Sequence, residues 1–325
     1  PKLINDKQIV LTLDDGYLDN WVFAFPLLKK YNLNATIFIN PDFVDSSLNK
    51  RHTLEDVWSD KIKNNDLHSL GFLNWEEIKF LDKSQFIDIQ SHSMTHDYYF
   101  KSDKIIDFYL DQDDYHWVSW FLNPKVKPYW MNRNLSEFIP KGYPIFEFDR
   151  ALRIKRFIPS KKFIKLFIDE FDGHRKKNLN DIHNSLIEFS HNFKKKYGSL
   201  GKYESKSEQI KRYKYELTKS KLILEEKLNK KIEFLCWPGG GYNDLSINIS
   251  ELAGYKASTV ASSDQSTTFD NSFKYKRIKR FGLGSFTCIN GNFIYNNEKN
   301  HLVHLYKSKC GDFLYDNIMR LKKIK

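Results

Sequence analysis

Cysteine is scarce in this chain. The 325 residues hold three, Cys236, Cys288 and Cys310, an odd number at uneven spacings. That excludes a disulfide framework or a cysteine-based zinc knuckle. Cys236 lies inside an apolar run and reads as a small core residue. No run of ~18 apolar residues occurs, which is the length a membrane-spanning helix needs. The chain begins at Pro1 and shows no charged-then-apolar leader. No nucleic-acid-binding motif is recognisable, although the formal charge is +11, from 52 basic and 41 acidic residues. The excess is concentrated in residues 190–231, with 13 Lys/Arg against 5 Asp/Glu. These lysines are interleaved with apolar positions at helical spacing, so a solvated helix face is the simpler reading. Peripheral contact with a membrane or an anionic glycan is the alternative. Hydrophobic residues make up 41%, enough to bury a sizeable core.

What the chain does have is a split set of metal-type ligands. The apolar, β-branched run Ile9 to Leu13 stops at Asp14-Asp15-Gly16, and a second run, Phe86 to Ile89, stops just before His92-Ser93-Met94-Thr95-His96. In open α/β sheets and barrels, ligands and catalytic groups gather at the carboxyl ends of strands. Neutral imidazoles bind Zn²⁺ and similar ions, and a catalytic zinc keeps three protein ligands and one open position. A His-x-x-x-His spacing puts both rings on one face of a helical turn. Two histidines with one of Asp14 or Asp15 make such a site and leave the other aspartate as a base. The competing reading is an Asp-Gly turn and two unrelated surface histidines.

A third apolar run, Ile232 to Cys236, ends in Trp237-Pro238-Gly239-Gly240-Gly241-Tyr242-Asn243-Asp244. With this piece the chain resembles the polysaccharide deacetylases, carbohydrate esterase family four, in the branch containing the poly-N-acetylglucosamine N-deacetylases. Leu11-Thr12-Leu13-Asp14-Asp15-Gly16-Tyr17, Ser91-His92-Ser93-Met94-Thr95-His96 and Trp237-Pro238-x-Gly-x-Tyr-Asn are similar to the family's three motifs, in order. The resemblance covers residues 8–96 and about 205–285. It includes the helix bearing Glu216 to Lys221 and the segment Ala253-Gly254-Tyr255-Lys256-Ala257.

The resemblance implies an α/β fold, a distorted (β/α)7-type barrel with a large aromatic-rich insert. Residues 1–96 and 205–325 would form the discontinuous barrel, and 97–204 an insert subdomain or lid. It implies a metal-dependent N-deacetylase that removes acetyl groups from N-acetylhexosamine units of a bacterial surface polysaccharide or lipid-linked glycan, in the cell envelope or periplasm. Asp15, His92 and His96 would hold a divalent ion, Zn²⁺ by ligand type. Asp14 would be the base and the Gly239 N–H an oxyanion donor. Tyr17, Trp237, Pro238, Tyr242 and Asn243 would bind substrate. The late histidine that protonates the leaving amine maps best to His304, with His116 and His174 of the insert as alternatives. Two departures stand out. Cys236 occupies the position of a base-orienting arginine, for which Arg277 or Arg280 could substitute. The glycines 239–241 remove an aromatic that often follows the proline, which predicts a wider subsite. Hydrolysis of another carbon–nitrogen bond, an amide or formamide, and a non-catalytic glycan-binding module are the alternative functions.

Hydrophobic periodicity and punctuation give the layout. Strands are expected at Ile9–Leu13, Ala35–Asn40, Phe86–Gln90, Ile232–Cys236 and Lys256–Ala261. Helices are expected at Asp19–Lys30, with Pro26 as a kink, at Trp75–Leu81, from a Ser205/Glu208 capping box through Leu228, and at Leu245–Leu252. Alternating strands and helices indicate parallel pairing. Between His96 and Ser205 the chain is rich in aromatics, from Tyr98 through Trp117, Trp120 and Trp130 to Phe148. Such rings either form the core of an insert or stack on sugar faces from a lid.

Overall fold

The computed structural model describes residues 10–261 and 277–280, and the backbone of residues 286–289 and 292–295. β1 (Leu11–Leu13) leads into a π-turn (Asn20–Ala24) that continues as α1 (Phe25–Lys30), followed by β2 (Ala35–Ile39), α2 (Leu54–Trp58), α3 (Trp75–Lys83) and β3 (Ile87–Ser91). Next come β4 (Tyr98–Phe108), α4 (Val118–Leu122), β5 (Pro144–Arg150), β6 (Phe157–Pro159), α5 (Lys161–His174), α6 (Leu179–Tyr197) and β7 (Gly201–Tyr203). α7 (Lys206–Lys214) runs through a second π-turn (Tyr215–Lys219) into α8 (Ser220–Leu228), then β8 (Phe234–Leu235), α9 (Asp244–Leu252), β9 (Ala257–Ala261), β10 (Arg277–Arg280), β11 (Phe286–Ile289) and β12 (Asn292–Tyr295).

The main sheet has the order β1-β2-β3-β8-β9-β10. The pairs β1–β2, β2–β3, β3–β8 and β8–β9 are all parallel. Each new strand adds on the same side of the last, the winding of a (β/α) barrel rather than of a doubly wound sheet. The result is a curled half-barrel of α/β type. Contacts group the chain into two compact units. One comprises Pro1–Ile9, Ala261–Thr267 and Lys279–Lys325, and its hairpin β11–β12 is antiparallel. The other comprises Val10–Val260 and Thr268–Ile278.

The sheet is held by an apolar layer. Ile37, Ile89 and Leu235 are wholly buried, packed with Ile78 and Leu81 of α3 and with Tyr213, Leu217 and Leu224 of the α7–α8 rod. Truncating one such side chain costs about 2–5 kcal/mol. The expected helix Asp19–Lys30 forms as one helical run, with Pro26 just after the π-turn, whose Phe25 amide donates to Asn20 O. The capping box at Ser205 and Glu208 forms, the Glu208 amide donating to Ser205 Oγ at 3.2 Å and the Ser205 amide to Glu208 Oε2 at 2.6 Å. α2 answers to no apolar period. It is set by the Thr53/Asp56 capping box and buries no residue fully.

A second core lies between His96 and Ser205. β4 and β5 pair antiparallel from Tyr98↔Arg150 to Phe108↔Pro144. Their inward rings, Phe100, Phe108 and Phe146, meet Phe163, Phe167 and Phe171, one stripe of α5 at i, i+4, i+8. Ile182, Leu186 and Phe193 of α6 close this cluster. No helix among the described residues is long and apolar enough to cross a membrane.

Candidate metal centre and the cavity above it

The carboxyl ends of β1, β3 and β8 deliver the three sequence motifs to one place. Asp14 and Asp15 follow β1, His92 follows β3, and Cys236-Trp237-Pro238-Gly239 follow β8. Asp15 Oδ1 lies 3.2 Å from His92 Nε2 and 3.3 Å from His96 Nε2. His92 Nδ1 lies 2.8 Å from the Cys236 carbonyl oxygen. That partner is an acceptor only, so Nδ1 carries a proton and Nε2 is the nitrogen turned to Asp15; burial works to lower the His92 pKa, but Cys236 and Asp15 together raise it well above the ordinary 6.5. Asp15 Oδ1 is buried and accepts no hydrogen bond. A buried carboxylate oxygen facing two imidazole nitrogens fits a divalent cation with nitrogen and oxygen ligands. A second set, Asp14, His92 and Cys236, also lies within ligand range. The hydrogen bond at Nδ1 favours the first set, because it commits the side of His92 that faces Cys236.

The electrostatics agree with neutral imidazole at His96. Burial holds its pKa down to about 3, helped by His92 and Arg150 and opposed by Asp15. Burial alone would raise the Asp15 carboxyl, but the two histidines pull it below the usual range. Burial and the Asp15 carboxylate together raise the Tyr17 hydroxyl. Cys236 Sγ donates to Asp14 Oδ2 at 3.7 Å.

The His-x-x-x-His segment is not the helical turn that its spacing suggests. Residues 92–97 are irregular, and Ser93 (φ 63°) and His96 (φ 55°) are left-handed, as is Asp15 (φ 67°). Such backbone costs about 1–3 kcal/mol per residue and persists only where its surroundings impose it. Here Glu216 Oε2 accepts from the amides of Met94 (3.2 Å) and Thr95 (3.0 Å), and Glu216 Oε1 accepts from the Thr95 hydroxyl. Asn40 Nδ2, at the end of β2, donates to the His92 carbonyl. Lys127, almost fully buried, donates to Thr95 O at 2.9 Å and to Asp97 Oδ1 at 2.6 Å. Gly16 (φ +70°) completes the Asp15 turn, and a Cβ there would come within 2.6 Å of Ile39 Cδ1.

Above the ligands opens a cavity of about 570 Å³. Its floor is Asp14, Asp15, His92, His96 and Gly239. Its walls include Tyr17 and Phe72 from the barrel and Tyr98, His116, Trp117, Trp120, Trp130, Phe148 and Arg150 from the 97–204 segment. His116 stacks on Trp130 with centroids 4.3 Å apart and planes 12° apart. The indole N–H groups of Trp117, Trp120 and Trp130 are buried without a partner. The aromatics of this segment therefore both build a core and line the cavity.

The remaining sequence candidates fall in different places. Trp237 is buried in the barrel core and packs on Tyr242 at 5.5 Å. Asn243 caps α9 and donates to Arg153 O and Tyr213 Oη, both outside the cavity lining. Pro238 lines a small neighbouring void with Ser93 and Gly241. His174 sits on α5 beside Glu170, away from the cavity lining. His304 lies outside the described residues. Arg277 and Arg280 belong to β10.

Arg150 was not singled out from sequence. Its guanidinium stacks on Tyr98 at 3.8 Å and lies across the third motif. A Cβ built on Gly239 would overlap that guanidinium, and one on Gly241 would overlap its Cβ and Cγ. The expected wider subsite is therefore not found, because Arg150 occupies the space that the glycines vacate.

The structure is thus an α/β half-barrel with a carboxylate–imidazole cluster at its strand ends that could hold a metal ion, under an aromatic-walled cavity. Residues 4–115 match the sequence model of the polysaccharide deacetylase family. A stretch of 50 residues is 42% identical to YxkH of Bacillus subtilis (strain 168), which is named as a polysaccharide deacetylase. The stretch is 15% of this chain and 16% of YxkH. Two solved structures are similar at low identity. For a de-N-acetylase from Aggregatibacter actinomycetemcomitans the identity is 17%, over 86% of this chain and 71% of that one, with a TM-score of 0.47. For the BpsB deacetylase domain of Bordetella bronchiseptica it is 15%, over 84% and 69%, also with a TM-score of 0.47.

Proposed function

We propose that this chain is a metal-dependent N-deacetylase acting on N-acetylhexosamine units of a bacterial surface polysaccharide or lipid-linked glycan, in the cell envelope or periplasm. The observation that carries the reading is the convergence of Asp15 Oδ1 with the Nε2 atoms of His92 and His96, with Asp14 on the same cavity floor. Asp15, His92 and His96 would hold a divalent ion, and two imidazoles with one carboxylate suit Zn²⁺ with a position left open. Bound there, such an ion would supply Lewis acidity for the acyl carbonyl and for the attacking water.

The residues of the chain do the rest. Asp14 takes the proton from the attacking water. The Gly239 N–H faces the oxygen on which charge develops; losing such a donor costs about 3 kcal/mol of transition-state stabilisation. A histidine returns a proton to the leaving amine. His116 lines the cavity and is one candidate, and His304 is the other. The 97–204 segment acts as an insert that roofs the site. Its rings offer apolar faces to a sugar. Tyr17 binds substrate directly from the wall. Trp237, Pro238, Tyr242 and Asn243 support the third-motif turn.

Replacing Asp14 with Asn tests the assignment. Acetate release from N-acetylglucosamine oligomers should fall by ~10²-fold or more with the metal still bound. Wild-type turnover in that variant would place the base elsewhere.

A further inference from the structure

Arg150 ends β5, and the β4–β5 register pairs it with Tyr98, two residues after His96. The Ala151 amide donates to Asp97 O at 3.0 Å, which fastens the same junction. The strand pairing therefore carries the guanidinium to the cavity beside Gly239. Its position is not explained by an ion pair. The nearest acid in sequence, Asp149, accepts the Arg150 backbone amide at 2.8 Å and faces Arg153 at 3.8 Å. Among the described residues the Arg150 guanidinium stacks on Tyr98 and feels the Asp15 and Asp149 carboxylates at longer range, but makes no hydrogen bond and no close ion pair. Among the described residues it is also the only side chain of fixed positive charge lining the cavity. Two glycines must lack a Cβ to admit it. A planar fork of N–H donors, stacked on one face and unsatisfied along its edge, matches the two coplanar oxygens of a carboxylate.

We propose that Arg150, seated on the Gly239–Gly241 backbone, is a carboxylate-binding and catalytic residue. Its guanidinium takes the acyl oxygen during hydrolysis and then holds one oxygen of the released acetate. The proposal rests on the N-deacetylase reading of the same cavity. Water adds to the acyl carbon, and the carbonyl oxygen takes up the negative charge beside Arg150. The C–N bond then breaks and the amine leaves with a proton. The original carbonyl oxygen and the oxygen from water remain on carbon as acetate. The contribution comes from the inserted segment rather than from any of the three motifs, so the insert supplies part of the reacting centre.

The test is acetate binding to the metal-loaded protein by calorimetry, for wild type, R150M and G239A, with metal content measured in each. A methyl at Gly239 displaces the guanidinium, so G239A should copy R150M without removing the charge, and it replaces R150M if that variant does not fold. Acetate affinity should fall at least tenfold in both with metal content unchanged. Turnover of N-acetylglucosamine oligomers should fall by ~10²–10³, mainly in kcat. Acetate affinity within twofold of wild type in the variants, or no acetate binding by the wild type, would overturn the proposal. So would a loss confined to KM for glycans bearing carboxylates. Arg150-dependent acetate binding without acetate release from any N-acetyl glycan would keep the site and refute the deacetylase reading.

Discussion

Glu216, in the π-turn between α7 and α8, grips Thr95 by both its amide (3.0 Å) and its hydroxyl, across 121 residues of chain. Thr95 precedes His96, so a fully buried carboxylate on one element sets the left-handed backbone of a candidate metal ligand on another. Both contacts need an acceptor, and glutamine retains one oxygen for the amides while its NH₂ can face the hydroxyl. Glu216→Gln should therefore keep metal affinity within a few fold. Glu216→Ala should weaken it about 10–100-fold, the usual scale for a residue that orients a ligand. Competition with a chelator of known affinity distinguishes the two. Equal affinities in both variants would show that the loop holds its shape without Glu216.

Lys127 is the buried cation of the same network. It bonds Asp97 and Thr95 and lies 3.7 Å from Asp42. Removing one partner of a buried pair leaves the other charge uncompensated, at a cost of about 3–5 kcal/mol. Lys127→Met should lower unfolding stability by that amount, and the added change Asp97→Asn should restore part of it. A change below about 1 kcal/mol in denaturant unfolding would mean that the pair contributes little.

His116 gives a pH prediction away from the metal ligands. Burial pushes its pKa below the ordinary 6.5, and Arg150 adds to this, while Asp113 and Asp114 oppose it. A base whose folded pKa is depressed binds its proton less readily folded than unfolded. Its contribution to stability is then present above pH 6.5 and is lost as pH falls through the folded value. The His116 ring resonances should titrate with a midpoint below 6.5. The stability difference between wild type and His116→Phe should shrink on acidification through that window. A midpoint at or above 6.5 would contradict the burial seen at the Trp130 stack.

The half-barrel and the clustering of Asp14, Asp15, His92 and His96 at its strand ends were legible because their signals are local. Apolar, β-branched runs ending at Asp14, His92 and Trp237 mark strands by composition and sites by where the runs stop. Charge and polarity with non-local partners were not legible. Nothing in Glu147-Phe148-Asp149-Arg150 distinguishes the arginine; its place comes from the Tyr98↔Arg150 register, which depends on how a long insert folds back. Glu216 offered a partial signal. It adjoins Leu217 beside an apolar stripe of Tyr213, Leu217 and Leu224, so burial could be read, but not its partner. The His92–His96 spacing suits a helix, and only the Glu216 and Lys127 contacts impose the irregular loop instead.

The central claim is that Asp15, His92 and His96 hold a metal on which amide hydrolysis depends. The most direct test measures metal content of the purified chain and of His92→Ala, with acetate release from N-acetylglucosamine oligomers followed in parallel. The account predicts one equivalent of a divalent ion in the wild type and loss of both ion and acetate release in the variant. Acetate release persisting in His92→Ala, or no metal binding by the wild type after metal is supplied, would contradict it.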